Sequence, residues 1–135
     1  MKKSKFALLP VMMLALCTAG CLAPRYDDPV VLDASTNAPT VKALSAAEAK
    51  EIIDNAIANP PAGHHPDNPG WLNLGRRATA VRLRIHNRTG LVLVEIMRGR
   101  SLMMEFYVQD MAEGHKFADA LWRAKLESQA VDRAK

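Results

Sequence analysis

Cysteine is scarce in this chain. There are two, Cys17 and Cys21, both within the first 21 of 135 residues. Beyond residue 21 no disulfide can form, so anything folded there is held by its packed core. Membrane-spanning runs are lacking as well. The apolar stretch Phe6 to Leu16, broken by Pro10, falls short of the roughly 20 residues that cross a bilayer. Surplus charge is small: 18 bases against 14 acids give a net +4. Such a chain lacks the strong cationic field of a general nucleic-acid binder. No internal repeat is present. Nor is there a G-x-S-x-G, H-x-x-x-H or H-E-x-x-H spacing, so the common hydrolase and zinc-protease signatures are excluded. At this length the chain holds one ordinary domain.

What is present begins with an address. Met1-Lys2-Lys3-Ser4-Lys5 is cationic, Phe6 to Leu16 is apolar, and small residues follow at Thr18-Ala19-Gly20. That order is the pattern of a secretory signal peptide, residues 1–20. Its removal takes away three lysines and no acid, which lowers the net charge from +4 to +1.

Thr18-Ala19-Gly20-Cys21 resembles the lipobox of bacterial lipoproteins, with Thr where Leu is commoner. The resemblance covers residues 1–21 alone. It implies cleavage before Cys21, a diacylglyceryl thioether on Cys21 and acylation of the new amino terminus. Two or more acyl chains anchor a protein stably, whereas one is marginal. Leu22 rather than Asp follows Cys21, which in such lipoproteins implies the outer membrane, facing the periplasm. Cys17 leaves with the signal, and the thiol of Cys21 is consumed by lipid.

The mature chain divides by composition. Residues 21–43 read as the lipidated start and a flexible tether, with breakers at Ala23-Pro24, Asp27-Asp28-Pro29 and Thr36-Asn37-Ala38-Pro39 and one candidate short strand at Val30-Val31-Leu32. Some 20 residues of tether reach about 70 Å when extended. Residues 44–128 read as one small α+β domain, and 129–135 as a polar, frayed tail. Within the domain, Ser45 and Glu48 make a capping box that opens a helix over 45–58. A Pro-rich loop follows at 60–70, and Trp71-Leu72-Asn73-Leu74 reads as a short strand. Strict alternation of Val81, Leu83 and Ile85 with Arg82, Arg84 and His86 predicts a half-buried strand. Two more follow, carrying Val92, Val94 and Ile96, then Leu102, Met104, Phe106 and Val108. Pairing Ile85 with Val92 puts six apolar side chains on one face and sets Arg82 against Glu95 on the other. A helix over 111–128 carries Phe117, Leu121 and Trp122 along one side. The expected fold is α+β: a three- to five-stranded antiparallel meander with two helices packed on one face. Its closing part is similar in topology to pleckstrin-homology-like folds.

Charge is segregated along the chain. Residues 76–100 hold seven arginines against Glu95 alone. Arginine forms bidentate pairs with phosphate and carboxylate. The candidate binding surface is therefore Arg82, Arg84, Arg98 and Arg100. Its candidate partners are an anionic envelope component or an acidic protein, with the membrane engaged through Cys21 and no role for nucleic acid. Glu95 and Glu105 share the outward sheet face and form the one carboxylate pair suited to glycan hydrolysis. His64, His65 and Asp67 lack metal-ligand spacing, and Ser101 with His115 is the remaining nucleophile pairing. The outward face also carries Leu91, Leu93, Met97, Met103 and Tyr107, to be covered by the N-terminal segment and Trp71. The expectation is a lipid-anchored envelope binding module with no cofactor, metal or catalytic residue. The alternative is a periplasmic glycan hydrolase using Glu95 or Glu105.

Overall fold

A computed structural model of the chain describes residues 25–58 and 69–135. The signal peptide, Cys21 and the His64, His65 and Asp67 loop lie outside the described residues. Among those described, four strands form one open antiparallel sheet in the order β1-β2-β3-β4. They are β1 (Val30–Asp33), β2 (Ala80–Ile85), β3 (Val92–Arg98) and β4 (Ser101–Val108). Four helices accompany them: α1 (Pro39–Ala43), α2 (Ala46–Ile57), α3 (Trp71–Arg77) and α4 (Met111–Arg133). None is long and apolar enough to cross a membrane.

The β2–β3 register is the one the alternation predicts: Ile85 opposite Val92, Leu83 opposite Val94, Val81 opposite Ile96, Arg82 opposite Glu95. A one-residue slip would drive arginines into the core, so burial fixes the pairing. Between β3 and β4 the register shifts. Ile96 pairs with Met104, but Met97 pairs with Leu102, leaving Met103 as an extra residue. This bulge reverses two expectations. Met103 packs against the core, while Leu102 joins Met97 on the outward face.

The apolar face of the sheet carries Val81, Leu83, Val94, Ile96, Met104 and Phe106, each almost fully buried. Helix α4 lies across it. Its Phe117 ring meets Phe106 edge to face, with centroids 4.8 Å apart, a geometry that adds to simple burial. Gly114 permits the approach: a Cβ there would stand 2.9 Å from Leu83 Cδ2. Gly75 does the same where α3 crosses α4, since its Cβ would lie 2.6 Å from that of Ala124. Helix α2 begins as expected. Ser45 Oγ accepts from Glu48 N, and Ser45 N donates to the Glu48 carboxylate.

Four expectations change. The two expected helices are four, because α1, α2 and α3 join α4 in the same core. Residues 71–74 are the first turn of α3, not a strand: Leu74 and Ala78, one turn apart, are both fully buried. The tether does not extend to residue 43. Strand β1 pairs with β2, Val41 of α1 is fully buried, and the chain is part of the fold from Arg25 onward. The tail is helical through Arg133. Arg76 clamps it by donating through Nη2 and Nε to the two Asp132 carboxylate oxygens, at 2.9 and 3.2 Å.

Candidate functional site

Helices cover one face of the sheet; the other is the candidate site. Alternation along each strand places Arg82 and Arg84 of β2, Leu93, Glu95 and Met97 of β3, and Glu105 and Tyr107 of β4 on it. The register then sorts them into rows across the strands. Arg84, Leu93 and Tyr107 form one row, and Arg82, Glu95 and Glu105 the next.

Glu95 is the centre of this face. Its side chain is only 9% exposed, and two guanidiniums hold it. Arg82 donates through Nη2 to Oε2 at 3.1 Å. Arg84 Nε stands 2.8 Å from Oε1, close enough for an ion pair, but its N–H is not aligned as a hydrogen bond. A carboxylate this buried is tolerated because both counterions sit beside it. Alternation anticipates the Arg82 contact. The Arg84 contact comes from the row next to Glu95, a diagonal that residue spacing leaves open.

One end of the face is closed by a residue that reads, in the sequence, as tether. Tyr26 bridges to His86 just beyond β2. Its ring meets the His86 ring edge to face at 5.1 Å. Its hydroxyl reaches the hydroxyl of Tyr107, 2.5 Å away on the far strand. That hydrogen bond, then burial, pushes the Tyr26 phenol up to about 12. His86 Nδ1 accepts from the backbone N–H groups of Arg88 and Thr89, each at 3.3 Å, which leaves the ring proton to Nε2. The latch crosses the strands and helps explain why Leu93 is only 6% exposed on an outward face. Trp71 plays no part in this cover. It sits in the helical layer against the core.

The opposite end is a tight hairpin. Gly99 has φ +59° and Arg100 a negative φ, the pattern of a type II′ turn. Thr79 Oγ1 accepts from Gly99 N at 2.8 Å and fixes the turn to the start of β2. Arg98 and Arg100 are exposed here, with no ion pair among the described residues. A shallow depression of about 420 Å³ adjoins Arg100, lined also by Val31, Asp33, Ala80, Arg82 and Met97.

The fold thus splits the four candidate arginines. Arg82 and Arg84 are committed to Glu95, whereas Arg98 and Arg100 border open solvent. Arg76 is spent on Asp132. The cationic stretch is therefore less of a field than its count suggests. Glu95 and Glu105 are direct cross-strand partners, but Glu95 faces two arginines rather than a cleft. Ser101 and His115 are not brought together: Ser101 starts β4, and His115 lies beyond its other end on α4, with both exposed. No group of three metal-ligating side chains exists among the described residues. No family model matches the chain, and neither does any curated protein or solved structure.

Proposed function

We propose that the protein is a lipid-anchored module of a bacterial envelope, attached through Cys21 to the outer membrane on its periplasmic side. It binds a partner rather than transforming a substrate. The anchor reading is supported by the cationic start, the apolar run and Thr18-Ala19-Gly20-Cys21. The binding reading rests on one observation: Arg98 and Arg100 stand exposed at one turn with no ion-pair partner among the described residues, and Arg100 borders a depression. Two uncommitted guanidiniums at one turn suit an anionic envelope component or an acidic protein surface. Arg82 and Arg84 serve this surface indirectly, by holding the sheet face together around Glu95.

The test is cross-linking capture from intact envelopes. Arg98→Ala with Arg100→Ala should lose the captured partner while the fold melts normally. Glu105→Gln should keep it. Loss of a glycan product on Glu105→Gln, with capture unaffected by the arginine pair, would favour hydrolysis instead. For the anchor, Cys21→Ser should leave the membrane fraction, and retention there would reject acylation.

A further inference from the structure

We propose that the β2–β3 hairpin, Asn87 to Gly90, is the end of the domain that faces the lipid headgroups, and that the Arg98 and Arg100 turn points away from them. This rests on the acylation of Cys21 proposed above. Five peptide units separate Cys21 from Tyr26. Whatever their conformation, they span at most about 18 Å. Tyr26 is fixed to the sheet by its bridge to His86 and its hydroxyl contact with Tyr107. The residues on either side are fixed as well. Asn87 N donates to Arg25 O at 2.8 Å, and Asp27 N donates to Ile85 O at 3.0 Å. The chain therefore enters the fold at the hairpin end.

The other end lies far from that entry. Seven residues of β3 separate the two turns, about 23 Å at the usual strand rise. That exceeds the whole reach of the tether, so the anchor cannot lie at the far turn, whereas the hairpin stands at the tether's root. Asn87, Arg88, Thr89 and Gly90 are all exposed, and their polar character suits the headgroup zone rather than the acyl interior. Charge does not set the pose. Arg25 and Arg88 at this end are matched by Asp27 and Asp28. The covalent attachment imposes it, so raised salt should leave it unchanged. The partner-binding turn is then offered to the compartment rather than to the membrane that holds the protein.

With the Cys21 sulfur in thioether linkage the mature chain has no other thiol, so one added cysteine labels cleanly. Thr89→Cys and Ser101→Cys mark the two ends, and both positions are exposed. Each acylated full chain, carrying a fluorophore, is placed in phosphatidylcholine vesicles doped with a headgroup-nitroxide lipid. The label at 89 should be quenched several-fold more than the label at 101. A flexible Gly-Ser insert of roughly 20 residues between Leu22 and Ala23, reaching up to about 70 Å, should erase that difference without touching the fold. Normal flotation with vesicles but equal quenching, or stronger quenching at 101, overturns the orientation alone. Failure to float overturns the acylation and the orientation with it.

Discussion

Replacing Gly75 or Gly114 by alanine should have unequal consequences for stability, although both glycines sit inside helices. Each substitution gains about 1 kcal/mol of helix propensity. The costs differ because the obstructing atoms differ. At Gly75 the added methyl would meet Ala124 Cβ at 2.6 Å, Lys125 N at 2.7 Å and Ala124 C at 2.8 Å. Two of those three atoms are backbone and cannot rotate away. Helices α3 and α4 must part by several tenths of an ångström to restore ordinary contact, and that loosens Leu74 and Ala78, both fully buried. Overpacking of this kind costs about 1–3 kcal/mol and occasionally more. We expect a net loss of about 2 kcal/mol for Gly75→Ala, on the order of 10 °C in Tm for a domain this size. At Gly114 the nearest atoms are the methyl tips of Leu83, at 2.9 and 3.1 Å. A small rotation of that side chain absorbs the contact, so gain and cost should cancel within about 1 kcal/mol. Urea and thermal unfolding of the two variants decide the matter. A Gly75→Ala protein as stable as the parent, or one less damaged than Gly114→Ala, would refute the reasoning about how α3 crosses α4.

Leu83→Asp places a charge among side chains that exclude water and should cost more than about 4 kcal/mol; an unchanged melting curve would mean the buried face is misassigned. Glu95→Leu leaves Arg82 and Arg84 facing each other. Because those side chains are 29% and 31% exposed, the loss should be about 1–3 kcal/mol rather than the larger cost of a fully buried pair. Adding Arg84→Leu should recover part of it in denaturant titrations. The Tyr26 phenol stands at about 12 instead of 10.0, so the folded chain holds that proton more tightly than the unfolded one. Its stabilising contribution is complete below about pH 10 and is lost as pH rises through 10 toward 12. A urea midpoint followed across that window should fall, and Tyr26→Phe should flatten the fall.

Strict alternation made β2, β3 and most of β4 legible, because each apolar residue has only one face on which it can be buried. The same pattern ranks a carboxylate in the second row as outward, yet says nothing of its depth. Glu95 is deep because two arginines from one strand converge on it. Residues 71–74 defeated the pattern by brevity: two leucines two apart fit a strand, and only Ala78, one turn past Leu74, shows the helical repeat. The bulge at Met103 has no marker in residue type, since three apolar residues in succession allow either register. Strand β1 is legible only as the short apolar run Val30-Val31-Leu32, with nothing in it to show that it joins the sheet. Val30 and Val31 are 43% and 54% exposed, so no burial pattern distinguishes them from linker, and the prolines around them read as breakers. Tyr26 was hidden in the same stretch. An aromatic residue among breaker residues was its one signal, and its partners lie 60 and 81 positions along the chain. The arginine count was legible, but the pairing that ties three of them to two carboxylates depends on tertiary contacts.

Strand β1 enters beside the β2–β3 hairpin and runs antiparallel to β2 toward the Arg98 and Arg100 turn. Were the chain held by the proposed lipid root at one end and a captured partner at the other, a pull between them would act lengthwise along the strands. The rungs joining β1 to β2 are then sheared together rather than unzipped singly, which is the mechanically stiffer way to load a ladder. A domain wired in this order can bear tension between two surfaces without first surrendering its edge.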